Sequence, residues 1–275
     1  MALALVVGGV GSVACDGGAA GPVNGNGDIA VFEQTGRCNV QTSMRQAGGT
    51  TFTLFTPNGG AGCTGPFPVV GWGNGSFTNT ATYNAFLTNV ASHGFTVVSP
   101  NVSNANGALG GGGQTLVDDA ITLGLTLPNV GNQACAMGYS QGGSAAVRAA
   151  AMLRNQVVCT VGIATEILFT GPANAQGLTR TIFLGGGADT VAPVGINSQN
   201  LFNQAGQPKV LAVLSGIDHF EPLGNGGRYR GLAIAGLVLN LRPNDPDAAA
   251  AGRLYNNNGL ANDPRVATFM RQGTF

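Results

Sequence analysis

The chain has 275 residues, a formal net charge of zero and 44% hydrophobic residues, enough to bury one substantial core in a single domain. Charged residues make up only 9%, and no basic run or basic–aromatic cluster occurs, which argues against nucleic acid as a partner. A weakly charged surface with a single lysine, Lys209, suits an uncharged substrate, and a monomer is expected.

The opening stretch MALALVVGGVGSVAC is apolar but too short to span a bilayer. It reads as an export-signal core without the positive n-region. SVAC is a partial lipobox, with Ser12 where leucine is usual, and the glycine-rich DGGAAGPVNGNGD after it suits a tether. Residues 1–27 are therefore expected to form an export or lipoprotein-like segment with its spacer, and residues 28–275 the folded domain. Cys15 is then either a lipid anchor that tethers the chain to a membrane or part of an ordinary cleaved signal. The expected location is secreted, periplasmic or at the cell surface.

Setting Cys15 aside leaves an even four cysteines, Cys38, Cys63, Cys135 and Cys159, as an oxidising compartment would favour. Cys38 and Cys63 flank the early strand in polar, glycine-rich sequence and are expected to pair. Cys135 and Cys159 fall in neighbouring core strands, where a disulfide and two buried thiols are equally open. No C-x-x-C or Cys/His cluster suggests zinc.

Short apolar, β-branched runs predict strands over 51–57, 66–72, 95–100, 135–139, 157–164, 181–186 and 209–216. Helical stretches fall between them: one from near Asn79, one over GQTLVDDAITLGLTL, an alanine-rich one over 140–155 and a last one near 230–241. Apolar strands alternating with helices predict an α/β fold, a mostly parallel sheet with helices on both faces. The glycine run GALGGGGQ (107–114) lacks G-x-G-x-x-G spacing and a P-loop lysine, so it reads as a surface loop. No cofactor is expected.

The stretch ACAMGYSQGGSAAVRAAA carries the chemistry. Gly-Tyr-Ser-Gln-Gly at a strand-to-helix junction is the nucleophile-elbow pattern, in which glycines two residues either side of the serine permit the tight turn. Ser140 is the candidate nucleophile. A serine hydroxyl needs a base, and in α/β-hydrolases the chain order is serine, acid, histidine. The chain has two histidines. His93 precedes the serine and reads as a capping or packing residue, which leaves His219 in the loop after strand 209–216. Asp189, just past strand 181–186, is the preferred acid; Glu166, Asp218 and Glu221 remain alternatives. The oxyanion requires two backbone donors: the Gln141 N–H after the nucleophile, and the N–H of Trp72 or Gly73 in VVGWGNGSF.

VVGWGNGSF, LTNVASHGFTVVSPNVSN, AMGYSQGGSAA, GGGADTVAPV and GIDHFEP together resemble the bacterial cutinase-like polyesterases, the group containing PET hydrolases and related to dienelactone-hydrolase-like esterases. The likeness covers roughly residues 50–222. It implies an α/β-hydrolase fold without a lid domain, and a triad of Ser140, Asp189 and His219. It also implies an oxyanion hole from the Trp72 and Gln141 N–H groups. Two positions depart from the family pattern. Gln141 stands where many members have methionine. The loop after the elbow helix's following strand lacks the usual tryptophan and offers Phe169 as its nearest aromatic. Trp72 and Phe169 are the expected substrate-binding side chains. The expected function is ester hydrolysis through an acyl-enzyme, on a polyester substrate in an open cleft. The alternatives are an esterase for small soluble acyl esters and a non-catalytic surface-binding lipoprotein.

Overall fold

The computed structural model describes residues 27–102, 113–167 and 173–275. The expected export segment with Cys15 and its spacer, and most of the glycine run, lie outside the described residues. In chain order the elements are α1 (Gly27–Glu33), β1 (Val40–Ala47), β2 (Thr50–Pro57), β3 (Phe67–Gly73), α2 (Asn84–Ser92), β4 (Thr96–Pro100), α3 (Gly113–Leu125) and β5 (Val130–Tyr139). After these come α4 (Gln141–Met152), β6 (Val157–Ile163), β7 (Thr181–Gly186), α5 (Ser198–Gln204), β8 (Lys209–Leu214), α6 (Tyr229–Leu241), α7 (Ala248–Tyr255) and β9 (Val266–Gln272).

Among the described residues nine strands form one sheet in the order β1-β2-β4-β3-β5-β6-β7-β8-β9. Strands β4, β3, β5, β6, β7 and β8 run parallel. The outer β1, β2 and β9 pair antiparallel. This is an α/β-hydrolase type of fold. Parallel strands need crossovers, and these put helices on both faces.

The two faces are legible in the alternation of side chains along each strand. Val70 and Trp72 of β3, Cys135 and Met137 of β5 and Ile182 and Leu184 of β7 join one core, with α1, α2, α6 and α7. Val69, Ala134, Ala136 and Phe183 join the other, with α3, α4 and α5. Small side chains keep that second layer thin. Ala145, Ala146, Ala149 and Ala150 of α4 are all buried, so the helix after the elbow lies close on the sheet.

Both cysteine pairs are disulfides, Cys38–Cys63 and Cys135–Cys159. The second is open in the sequence because it depends on register: Cys135 and Cys159 stand directly opposite each other on β5 and β6. Helix α2 is preceded by a short 3-10 turn, Thr80–Tyr83, capped by the Asn79 side chain accepting from the Ala81 N–H at 3.0 Å. Among the described residues no helix is inserted between β6 and β7, and none is long and apolar enough to cross a membrane.

Candidate active site

Strand β5 ends at Tyr139 and α4 begins at Gln141, so Ser140 alone makes the turn. Its backbone sits at φ 55°, ψ −122°, a region that costs a residue bearing a side chain about 1–3 kcal/mol. Surrounding contacts hold it there. Ser140 N–H donates to the Ile163 carbonyl at 2.9 Å, and the Ser140 carbonyl accepts from Gly143 N–H at 3.0 Å and Glu166 N–H at 3.1 Å. Gly138 and Gly142 flank the turn with no room for a Cβ on either. The turn lifts the serine hydroxyl to the carboxyl edge of the sheet.

Two other segments deliver side chains to the same edge. Beyond β7, the Asp189 carboxylate accepts through Oδ1 from the N–H groups of Val191 at 2.9 Å and Ala192 at 2.7 Å. Its Oδ2 lies 2.8 Å from His219 Nδ1. Beyond β8, His219 Nε2 lies 2.9 Å from Ser140 Oγ. A carboxylate only accepts, so Nδ1 carries the proton and Nε2 is left to accept from the serine hydroxyl. Ser140, Asp189 and His219 are 5%, 6% and 4% exposed, so these bonds are largely shielded from water. Ser140, the preferred acid Asp189 and His219 are in one hydrogen-bonded line.

The alternative acids are engaged elsewhere. Asp218 accepts from the Phe220 N–H at 2.9 Å, and Glu221 pairs with Arg228 at 3.1 Å. Glu166 is buried just beyond β6, and its charge acts on Arg148 of α4. His93 is a cap, closing α2 with its N–H on Val90 and Ala91 carbonyls. Its Nε2 lies 3.0 Å from the Gln34 carbonyl.

Gln141 is the first residue of α4, where a backbone N–H has no acceptor within its own helix and the helix dipole favours negative charge. This matches its expected position. Trp72 does not. It pairs with Met137 inside the sheet, three residues short of Ser140, or roughly 10 Å at strand rise. Its indole is fully buried between Tyr83 at 5.1 Å and Phe86 at 5.5 Å. Its ring packs toward α2, since β3 runs on through Gly73. Phe169 lies outside the described residues.

The turn after β3 is the part of the site that sequence reasoning misses. Continuing the Gly73–Gly138 pairing brings Asn74 and Gly75 level with Tyr139 and Ser140. Asn74 is fully buried. Its Oδ1 accepts from Trp72 Nε1 at 2.9 Å, and its Nδ2 donates to the carbonyls of Pro100 at 2.6 Å and Val102 at 2.9 Å. The 74–76 turn is thus clamped to the end of β4. The signal for it is the first polar residue after an unbroken apolar run: in a buried strand, the end of that run marks the sheet edge.

The loops around this centre carry exposed apolar side chains beside exposed polar ones, Thr190 and Asp218. Phe77 is 94% exposed, Phe220 60%, Ile196 50% and Val191 42%. All four belong to the loops after β3, β7 and β8. Among the described residues, no group of three or more His, Cys, Asp and Glu gathers to hold a metal ion. A scan against protein-family models and a search of curated proteins found no match to this chain.

Proposed function

We propose that the protein is a serine ester hydrolase working through an acyl-enzyme, of the kind its motifs resemble, the cutinase-like polyesterases. The observation that carries this reading is the unbroken line from Asp189 Oδ2 through His219 to Ser140 Oγ, at 2.8 and 2.9 Å, on a serine held at positive φ. In the first half-reaction Ser140 Oγ attacks the ester carbonyl carbon while His219 Nε2 takes the hydroxyl proton. The carbonyl oxygen becomes an oxyanion and accepts from the Gln141 N–H and from an amide of the Gly75–Ser76 turn. Collapse breaks the acyl–oxygen bond, and His219 returns the proton to the departing alcohol. Water then gives a proton to His219, attacks the acyl carbon, and releases the acid with Ser140 restored. Asp189 keeps its charge throughout and stabilises the imidazolium.

The exposed Phe77, Val191, Ile196 and Phe220 on the loops around the site support a water-poor, bulky or polymeric acyl substrate. Two disulfides support action in an oxidising, extracellular or periplasmic compartment. The test is initial-rate hydrolysis of nitrophenyl acetate, butyrate and octanoate by wild type and Ser140→Ala, both verified as folded. A loss on the order of 10⁴-fold or more in the variant is expected. Equal rates for the two proteins would sink the reading. Rates that fall steeply from acetate to octanoate would favour small soluble esters as substrates instead.

A further inference from the structure

The elbow pattern leaves the residue before the serine unspecified, and here it is Tyr139. It is 3% exposed, and it joins the nucleophile strand to the base loop and to the turn after β3. By chain position it adjoins Ser140. Its hydroxyl donates to the backbone carbonyl of His219 at 2.8 Å. Its ring lies beside the His219 imidazole, centroids 5.2 Å apart. On the oxyanion side, Gly75 is pressed against the same ring: a methyl group there would sit 2.7 Å from both Cδ1 and Cε1 of Tyr139. Tyr83 backs the ring at 5.9 Å.

We propose that Tyr139 is a positioning residue, which registers the base loop and the Gly75–Ser76 turn on the nucleophile strand. The proposal rests on the ester-hydrolase reading above. In the base loop between β8 and α6, the Ile217 carbonyl accepts from Ala188 N–H at 2.9 Å and the Asp218 carboxylate from Phe220 N–H at 2.9 Å, which holds the residues on either side of His219. Asp189 holds Nδ1, and the tyrosine hydroxyl ties the His219 backbone itself to the end of β5. Misplacing a reacting group by about 1 Å can cost on the order of 10²-fold in rate, so a single bond to the base's own carbonyl has leverage on kcat. A buried tyrosine bonded to a carbonyl can also be mere structure. Tyr255 is such a residue, fully buried and donating to the Leu232 carbonyl at 2.7 Å on the α6–α7 side.

The experiment compares wild type, Tyr139→Phe and Tyr255→Phe on nitrophenyl butyrate, with melting temperature and the rate of Ser140 labelling by a fluorophosphonate measured for each. Phenylalanine keeps the ring against Gly75 and removes only the donor. The expected result is that Tyr139→Phe lowers kcat and the labelling rate about tenfold with KM within twofold, while Tyr255→Phe loses stability at unchanged kcat. 4-Aminophenylalanine at position 139 restores a donor, and its kcat is expected within threefold of wild type; this comparison also serves if the phenylalanine variant folds poorly. A folded Tyr139→Phe with kcat and labelling within twofold of wild type overturns the proposal, as does a 4-aminophenylalanine protein that is folded but no better than a tenfold loss. A wild type that neither hydrolyses the ester nor labels at Ser140 overturns the ester-hydrolase reading itself, and with it the role of Tyr139.

Discussion

Gly138 and Gly142 face each other across the turn that carries Ser140: a Cβ built on Gly138 falls onto the carbonyl of Gly142 and the N–H of Gly143, and one on Gly142 falls onto the carbonyls of Gly73 and Asn74. These neighbours are all backbone, which has nowhere to move. Gly142→Ala should therefore force β3 and α4 apart, at a cost of about 3 kcal/mol or more. Expected are a lowered melting temperature and loss of esterase activity even in the fraction that stays folded. An active protein of wild-type stability would mean that the elbow relaxes freely.

Asp189→Asn tests the line of bonds itself. The carboxamide keeps the shape but offers either a donor or an uncharged acceptor to Nδ1, which removes the preference for the tautomer that the serine needs. A fall in kcat on the order of 10⁴-fold with little change in KM is expected, by analogy with triads of the same geometry. If Glu166 were the working acid, Asp189→Asn would be nearly silent and Glu166→Gln would carry the loss.

Trp72 separates a binding role from a core role. Its indole N–H satisfies the buried Asn74 carboxamide, which in turn holds the 74–76 turn to β4. Trp72→Phe leaves Asn74 Oδ1 without that donor, a loss of about 1–3 kcal/mol, with a further contribution from the smaller ring. The expected outcome is reduced stability and lower kcat at nearly unchanged KM. A substrate-clamping tryptophan would give the opposite pattern, a raised KM in a stable protein.

How far the sequence reaches depends on which constraints are local. Ser140, Asp189 and His219 each come after a strand that ends at one edge of the sheet, so apolar runs and two histidines point to Ser140 and His219. Glu166 also follows such a strand, which leaves the acid open until the side chains are placed. Strands β1 and β9 leave no such trace. Edge strands are solvated, and VQTSMRQA and VATFMRQ lack the continuous apolar run that marks a central strand. The turn after β3 falls at residues 74–76 and not at Trp72, which the sequence does not show because a buried tryptophan and an exposed one look alike until strand length is known. The Cys135–Cys159 pairing depends on parallel register, which no turn specifies.

The two disulfides should part company under reduction. Cys63 is half-buried on the surface loop before β3, whereas Cys135 and Cys159 are 0% and 1% exposed at the centre of the sheet. A thiolate must reach a sulfur to attack it, so mild reductant is expected to open Cys38–Cys63 in the folded protein and leave Cys135–Cys159 until unfolding. Alkylation and peptide mass mapping at intermediate reductant would show it. The surface bond closes a loop with a sequence separation of 25, which the chain-entropy relation converts to about 3.5 kcal/mol. Replacing Cys38 and Cys63 with alanine should lower the melting temperature accordingly while leaving kcat within about twofold of wild type; a large loss of kcat in folded protein would tie this distant loop to the site.

His93 predicts how stability responds to acid. Burial lowers its pKa below the ordinary value of 6.5; the bond to the Gln34 carbonyl, then Asp247 and Asp245, act in the opposite direction without cancelling it. The folded chain therefore keeps this imidazole neutral, with Nε2–H donating to Gln34. In the unfolded chain it takes up a proton as pH falls through about 6.5. The unfolded state then binds more protons, so the stability that His93 contributes is fully present above about pH 6.5 and declines as pH drops toward the lower folded-state value. His93→Gln should lower the melting temperature at pH 7.5 but flatten its decline between about pH 6.5 and 5. The carboxylates are common to both proteins, so the difference between their slopes isolates the imidazole. Parallel slopes would mean that His93 takes up its proton as readily in the folded chain as in the unfolded one.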